Sequence, residues 1–234
     1  STEDRIVMKT TFYITTPIYY VNAKPHIGHA YTTIAADTAA RFHRLAGKEV
    51  LFVTGTDEHG QKILQEAQAK GVSIKDFVDG IVIEFKKMWK DLDISYDDFV
   101  RTTEIRHVQA VEKALTFLYK KGDLYKGEYK GWYCTPCETF WPVSQIEGEK
   151  LCPDCHRNLE EISEENYFLS LSKYQKWLIE YIQAHESFIR PVSRRNEVLG
   201  FLQNPLEDLC ISRPKSRLSW GISLPFSRDH VTYV

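Results

Sequence analysis

Two runs of β-branched and aromatic residues, TFYITT at 11–16 and EVLFVTG at 49–55, bracket one long helical pattern. That order constrains the chain more than any other feature. Both runs have the composition of strands. The second is nearly continuous in apolar residues, the mark of a strand buried on both faces. Between them Ile27, Ala30, Tyr31, Ile34, Ala35, Thr38, Phe42 and Leu45 recur at a spacing near 3.6 residues. The pattern stops at Gly47, a residue suited to a helix C-terminal cap. A strand, a crossover helix and a second strand form a parallel, right-handed β-α-β unit.

The helix opens on Pro25-His26-Ile27-Gly28-His29, after a polar turn around Asn22. A helix start presents backbone N–H groups and the positive end of the helix dipole, which favours anions. Gly28 removes a side chain and lets a ligand approach the backbone. The i, i+3 spacing puts both imidazoles on one side of the first turn. One reading is a phosphate grip, suited to charge that develops in a transition state. The other is a pair of capping histidines. No G-x-G-x-x-G is present, and GTDEHGQK at 55–62 lacks the Ser or Thr that a Walker A lysine needs after it.

Cys134 and Cys137 form one C-x-x-C pair, Cys152 and Cys155 a second, with fourteen residues between the pairs. Two such knuckles facing each other supply four thiolates for a tetrahedral ion, and zinc is the metal expected. A redox C-x-x-C and a pair of disulfides are the alternatives. The first lacks a thioredoxin-like context and the second lacks an export signal. Four protein ligands leave no open position, so the ion is expected to be structural, one per chain. His156 reads as a bystander, and Cys210 as a small buried apolar residue.

With 234 residues, 43% of them hydrophobic, the chain can build one large core or one domain with an insertion. A net charge of −2 announces no nucleic acid, so any such contact has to use local clusters. Arg194 with Arg195, and Arg213, Lys215 and Arg217, are the candidates, set against the alternative of solvated surface. No run of 18 apolar residues exists, so no transmembrane helix is expected. Residues 1–10 read as an N-terminal extension. Further helices are expected over 74–92, starting at Ser73 and carrying Phe77, Ile81, Phe85 and Trp89, and before 119, carrying Ile105, Val108, Val111, Leu115 and Leu118. Another is expected near 173–185, with Tyr174, Trp177, Leu178, Tyr181 and Ile182. HVTYV at 230–234 reads as a strand joining the main sheet.

PHIGHAY after a first strand resembles the HIGH signature of class I aminoacyl-tRNA synthetases. The likeness narrows to one family. The stretch from FYITTPIYYVNAKPHIGHAY through VTGTDEHGQKI resembles the methionyl-tRNA synthetases, as do RTTEIRH, GDLYKGEYKGWYC, SEENYFLSLSKYQ and WGISLPF. It runs from about Thr11 to Val234. The resemblance implies a Rossmann-like, doubly wound parallel sheet with an inserted zinc-binding connective domain. The implied division is 11–118 for the first half of the catalytic domain, 119–225 for the insertion with its knuckle at about 130–160, and 226–234 for the start of the second half. His26 and His29 are then the catalytic pair, and Asn22, His26, Gly28 and His29 the ATP-binding set. Pro17, Ile18 and Tyr20 line the methionine side-chain pocket, their alternative being core after a strand. Asp57, at the end of the second strand, meets the substrate's α-ammonium group. Glu58 and His59 read instead as a polar loop capping the next helix.

The implied activity is methionine–tRNA ligation. Methionine is activated by ATP to methionyl-adenylate and passed to the 3′ end of tRNA(Met). Magnesium accompanies ATP, and the location implied is cytoplasmic, with no membrane partner. The family's KMSKS loop and anticodon-binding domain have no counterpart in these residues. The chain is therefore expected to be a fragment, or one piece working with a second polypeptide that carries the C-terminal half. A non-catalytic tRNA-binding paralogue would not need His26, Gly28, His29 and Asp57. A nucleotidylyltransferase would not explain the cysteines.

Overall fold

The computed structural model describes residues 10–137, 139–141, 146 and 150–233. Residues 1–9 of the extension expected at 1–10 lie outside them, as does Val234. Packing divides the chain into two units, one up to Val111 and one from Glu112 to Tyr233.

The first unit is built around one strand. β3 (Glu49–Asp57) lies in parallel between β1 (Thr11–Thr15) with β2 (Tyr19–Tyr20) on one side and β4 (Asp98–Arg101) on the other. Thr11 is in register with Glu49, Tyr19 with Thr56 and Val53 with Asp98. The crossover from β2 to β3 is α1 (Ile27–Leu45), followed by Gly47 at φ 79°. α2 (Gln61–Ala69) and α3 (Ile74–Asp91) connect β3 to β4. The expected β-α-β unit is therefore present.

Two details differ from the sequence reading. The buried face of α1 is Thr33, Ala36, Asp37 and Ala40, while Ile27, Tyr31, Ile34, Phe42 and Leu45 are exposed. Small residues let the helix lie close on the sheet, where Ala36 and Ala40 pack with Phe52, Ile14 and Val50. Asp37 tolerates burial because Ser95 donates to it from its backbone and hydroxyl, at 2.8 and 2.5 Å, and Arg41 Nε at 2.7 Å. β3 is continuously buried only over Thr54, Gly55 and Thr56, since Leu51 is half exposed and Asp57 partly so.

β3 and β4 approach so closely that a Cβ on Gly55 would stand 2.1 Å from the Val100 carbonyl oxygen. Backbone cannot move aside as a flexible side chain would. Gly55→Ala is expected to cost about 3 kcal/mol, read as a lowered thermal-unfolding midpoint. An unchanged midpoint would contradict this packing.

α3 behaves as read. Ser73 Oγ accepts from Asp76 N–H at 3.1 Å, and Phe77, Val78, Ile81, Val82, Phe85 and Trp89 are buried. α4 (Ile105–Lys121) buries Leu115 but leaves Ile105 exposed.

The second unit holds two antiparallel sheets. β5 (Leu124–Cys134) pairs with β6 (Thr139–Trp141) and with β7 (Glu160–Leu169), and β8 (Leu209–Cys210) extends β7. α5 (Gln175–Ala184) and α6 (Val192–Phe201) lie between β7 and β8 in the chain. Asp123, fully buried beside β5, accepts from Lys173 Nζ at 2.6 Å and pairs with Lys121 at 2.8 Å.

β9 (Arg213–Pro214), β10 (Ile222–Leu224) and β11 (Ser227–Thr232) make the other sheet. The strand expected at 230–234 thus exists as β11, but it pairs antiparallel with β10 and β9 instead of joining the parallel sheet. The cause is local. Pro225 and Phe226 alone separate the register partners Leu224 and Ser227, and a turn that short forces a hairpin. Among the described residues no helix is long and apolar enough to cross a membrane.

Candidate active site and metal centre

His26 has extended backbone and is the N-cap of α1. Its Nδ1 accepts from Gly28 N–H at 3.1 Å, and His29 Nδ1 accepts from His26 N–H at 3.1 Å. The two rings stack with centroids 3.8 Å apart. A Cβ on Gly28 would lie 2.9 Å from His26 Cε1, so the glycine is what lets that ring fold back over the first turn.

This geometry joins the two readings of the histidines. Both rings cap, and capping fixes their chemistry. An Nδ1 that accepts a hydrogen bond carries no proton, so in the neutral ring the proton sits on Nε2. Burial, then the neighbouring His26, lowers the pKa of His29 below its ordinary value and keeps it neutral. The pair therefore offers Nε2–H donors on rings that are each fixed through Nδ1. One expectation changes. The N–H of Gly28 is spent on His26, so the imidazoles replace that backbone donor as the groups available to an anion.

An aromatic wall, missed in the sequence, backs His29. Its ring lies 4.9 Å from Tyr19 and 5.2 Å from Phe85, and Tyr19 also packs against Trp89 at 5.7 Å. The Tyr19 hydroxyl shares a 2.7 Å hydrogen bond with Thr33 Oγ1. The signal was the α3 stripe, which carries Phe85 and Trp89 but does not reveal what it covers.

The other predicted residues lie at the carboxyl ends of β1 (Pro17, Ile18), β2 (Tyr20, Asn22) and β3 (Asp57), the ends at which open α/β sheets bind ligands. Tyr20 and Asp57 are register partners, and Val21 N–H donates to the Asp57 carbonyl at 3.2 Å. With its amide oriented to suit its neighbours, Asn22 donates to the Tyr20 carbonyl at 3.3 Å and accepts from Lys62 Nζ at 3.1 Å. Pro17 and Ile18 are exposed and Tyr20 is half-buried, so Pro17 and Ile18 are not core.

Glu58 and His59 do not cap α2. Its N-cap is Gly60, at φ 118°, with no side-chain cap. Glu58 is instead fully buried against Arg101, and burial pushes the pKa of His59 down to about 4, leaving it neutral.

The four cysteines converge. Their Sγ atoms all lie within 4.8 Å of one another, with Cys134 to Cys155 at 3.5 Å and Cys137 to Cys152 at 3.9 Å. A tetrahedral ion with zinc–sulfur bonds of about 2.3 Å spaces its sulfurs by about 3.8 Å, so the set fits. Each close pair crosses between knuckles, and none is at disulfide distance, about 2.05 Å. Leu159, Trp132 and Trp141 pack around the cluster. His156 is not among the four converging residues, and its N–H donates to the Cys152 carbonyl at 2.8 Å.

Of the basic clusters, Arg213 and Arg217 are already engaged. Arg213 is 2% exposed, lies over the Tyr133 ring at 4.8 Å and pairs with Glu164 at 3.3 Å. Arg217 lies over the same ring at 5.3 Å and donates to Glu160 at 3.0 Å. Both brace β5 against β7. Arg194 is engaged as well, pairing with Glu197 at 2.6 Å within α6.

Comparison with known proteins adds the family. The model for tRNA synthetases class I (M) matches residues 12–162 and 158–234. The methionine–tRNA ligase of Caldanaerobacter subterraneus subsp. tengcongensis is 57% identical over 227 residues, covering 97% of this chain. That of Thermotoga maritima is 50% identical over 226 residues. The chain spans 35% and 36% of these relatives' lengths. The structure of Mycobacterium tuberculosis methionyl-tRNA synthetase in complex with methionyl-adenylate superposes with a TM-score of 0.90 at 40% identity, covering 96% of this chain and 44% of that one. The apo form of the same enzyme gives a TM-score of 0.75 at 37% identity.

Proposed function

We propose, since the chain belongs to the class I tRNA synthetases of the methionyl (M) family, that it carries the methionine- and ATP-binding half of a methionine–tRNA ligase. The observation that supports this most is the reciprocally capped histidine pair, with both Nε2–H groups left for a ligand beside the carboxyl ends of β2 and β3.

In this reading methionine lies with its α-ammonium on Asp57 and its thioether chain on Pro17, Ile18 and Tyr20. A soft, polarizable sulfur suits apolar and aromatic walls. ATP lies over Gly28, with Asn22 shaping the turn beneath it. The methionine carboxylate attacks the α-phosphorus and pyrophosphate leaves; magnesium would accompany ATP and offset the phosphate charge. His26 and His29 donate to the phosphate oxygens as charge builds on them. A terminal ribose hydroxyl of tRNA(Met) then attacks the activated carbonyl and AMP leaves. No side-chain nucleophile enters. Rate comes from positioning and from donors fixed in advance.

The remaining assignments belong to the same proposal. Residues 119–225 are the connective insertion that follows 11–118, and residues 227–232 stay with it through the β10–β11 hairpin. The enzyme works in the cytoplasm. Cys134, Cys137, Cys152 and Cys155 hold one structural zinc, which ties the knuckles together and does no chemistry. The test is ATP–pyrophosphate exchange by the full-length protein. Exchange should depend on methionine and be absent with leucine or isoleucine. Exchange indifferent to methionine would overturn the assignment.

The metal has its own test. The knuckles have too few apolar residues to fold by burial, so zinc supplies the local folding energy. Elemental analysis should find one zinc per chain. Chelation or Cys152→Ala should raise hydrogen exchange over residues 130–160 while the parallel sheet keeps its protection. A metal-free preparation with native exchange there would refute the site.

A further inference from the structure

Among the described residues of the first unit the Glu58 carboxylate is the most completely enclosed charge, and nothing in the proposed chemistry uses it. It is 0% exposed. Arg101 grips it with both faces of its fork, Nε to Oε1 at 2.7 Å and Nη2 to Oε2 at 2.9 Å. Thr56 Oγ1 donates to Oε1 at 2.6 Å and Thr103 Oγ1 to Oε2 at 2.5 Å. The Glu58 N–H donates to Thr102 Oγ1 at 2.9 Å. Arg101 in turn reaches Asp79 of α3 at 2.6 Å. Each carboxylate oxygen thus has two donors, drawn from the end of β3, the end of β4 and the residues just after it.

A cap for α2 would not need this enclosure, and the helix takes no cap from Glu58. Position explains it better. Side chains alternate along a strand, and the Thr56–Glu58 hydrogen bond shows these two on one face. Asp57, between them, is directed to the other. The Asp57 carbonyl is tied to Val21 on the β2 side. The backbone around Asp57 is therefore pinned on one flank by β2 and on the other by the Glu58 cluster.

We propose that Glu58 and Arg101 are positioning residues that hold the Asp57 carboxylate where it meets a substrate ammonium group, without touching substrate themselves. This rests on the reading of Asp57 above. A rigid bidentate pair fixes orientation better than a loop residue solvated by water, which is what discrimination by a single charged contact demands.

The test compares methionine with its desamino analogue, 4-(methylthio)butanoate, which keeps the thioether and carboxylate but has no ammonium. Affinities of the full-length protein for both are measured by calorimetry in Asp57→Asn, Glu58→Gln, Thr103→Val and Thr103→Ser. Thr103→Val removes one donor to Oε2 with little change of volume, so it serves even where Glu58→Gln fails to fold. Glu58→Gln and Thr103→Val should lower the preference for methionine over the analogue by about tenfold, with analogue affinity nearly unchanged. Thr103→Ser should restore the preference. A purely structural role would weaken both ligands together, and that result would overturn the proposal. An unchanged preference in Asp57→Asn would overturn the Asp57 reading itself. A preference lost in Asp57→Asn but kept in Thr103→Val would overturn the positioning role alone.

Discussion

Replacing His26 or His29 with alanine is expected to slow methionine activation by about two to three powers of ten, the loss typical of one preorganised oxyanion donor. Methionine affinity should change little, because neither ring is assigned to the amino acid. Alanine also removes a cap, which costs about 1 kcal/mol at a helix start, so a slower enzyme could simply be a frayed one. His26→Asn separates the two effects. An asparagine side-chain oxygen can accept from Gly28 N–H as His26 Nδ1 does, but it places no Nε2–H above the turn. The asparagine variant should keep its thermal midpoint and still lose the rate in pyrophosphate exchange. Wild-type turnover in His26→Asn would mean that these histidines serve the helix alone.

Asp57→Asn should reduce kcat/KM for methionine by about a hundredfold, with the ATP KM little changed. The substitution is nearly isosteric, so backbone pairing with Val21 and register with Tyr20 are preserved. What is lost is the charge on one hydrogen bond. Charge-assisted bonds contribute up to about 3 kcal/mol, and that sets the size of the effect. Steady-state exchange kinetics over a methionine series read it directly. Normal methionine kinetics in this variant would place the ammonium elsewhere.

How much of this was legible depends on the range of the interaction. The β-α-β unit follows from local patterning, and so does the convergence of the four cysteines, where two C-x-x-C pairs carry their own turn geometry. Periodicity located α1 but not the side it buries. Its large apolar residues Ile27, Tyr31, Phe42 and Leu45 are exposed, while Ala36 and Ala40 pack on the sheet. Size complementarity with Phe52 decides that choice, and no single segment encodes it. Glu58 was misread for a similar reason. Its partner Arg101 lies 43 residues along the chain, so GTDEHG looked like a polar loop. The sheet that β11 joins is set by the two-residue turn between Leu224 and Ser227, which the residues of HVTYV themselves do not encode. The aromatic wall of Tyr19, Phe85 and Trp89 needed two elements from different parts of the chain to be seen together.

The reciprocal cap at the start of α1 also limits what can replace these histidines. Asparagine or serine would end the helix as well, and arginine or lysine would attract phosphate more strongly. Neither kind offers one nitrogen to the backbone and a second, oppositely directed, to a ligand. The two demands together leave far fewer acceptable residues at positions 26 and 29 than either alone. Gly28 shares the restriction, because its missing side chain is the space that the first ring occupies. If the proposed phosphate contact is right, drift at any one of the three is penalised twice, in folding and in turnover, so a lineage that gave up the chemistry would be expected to lose all three residues together.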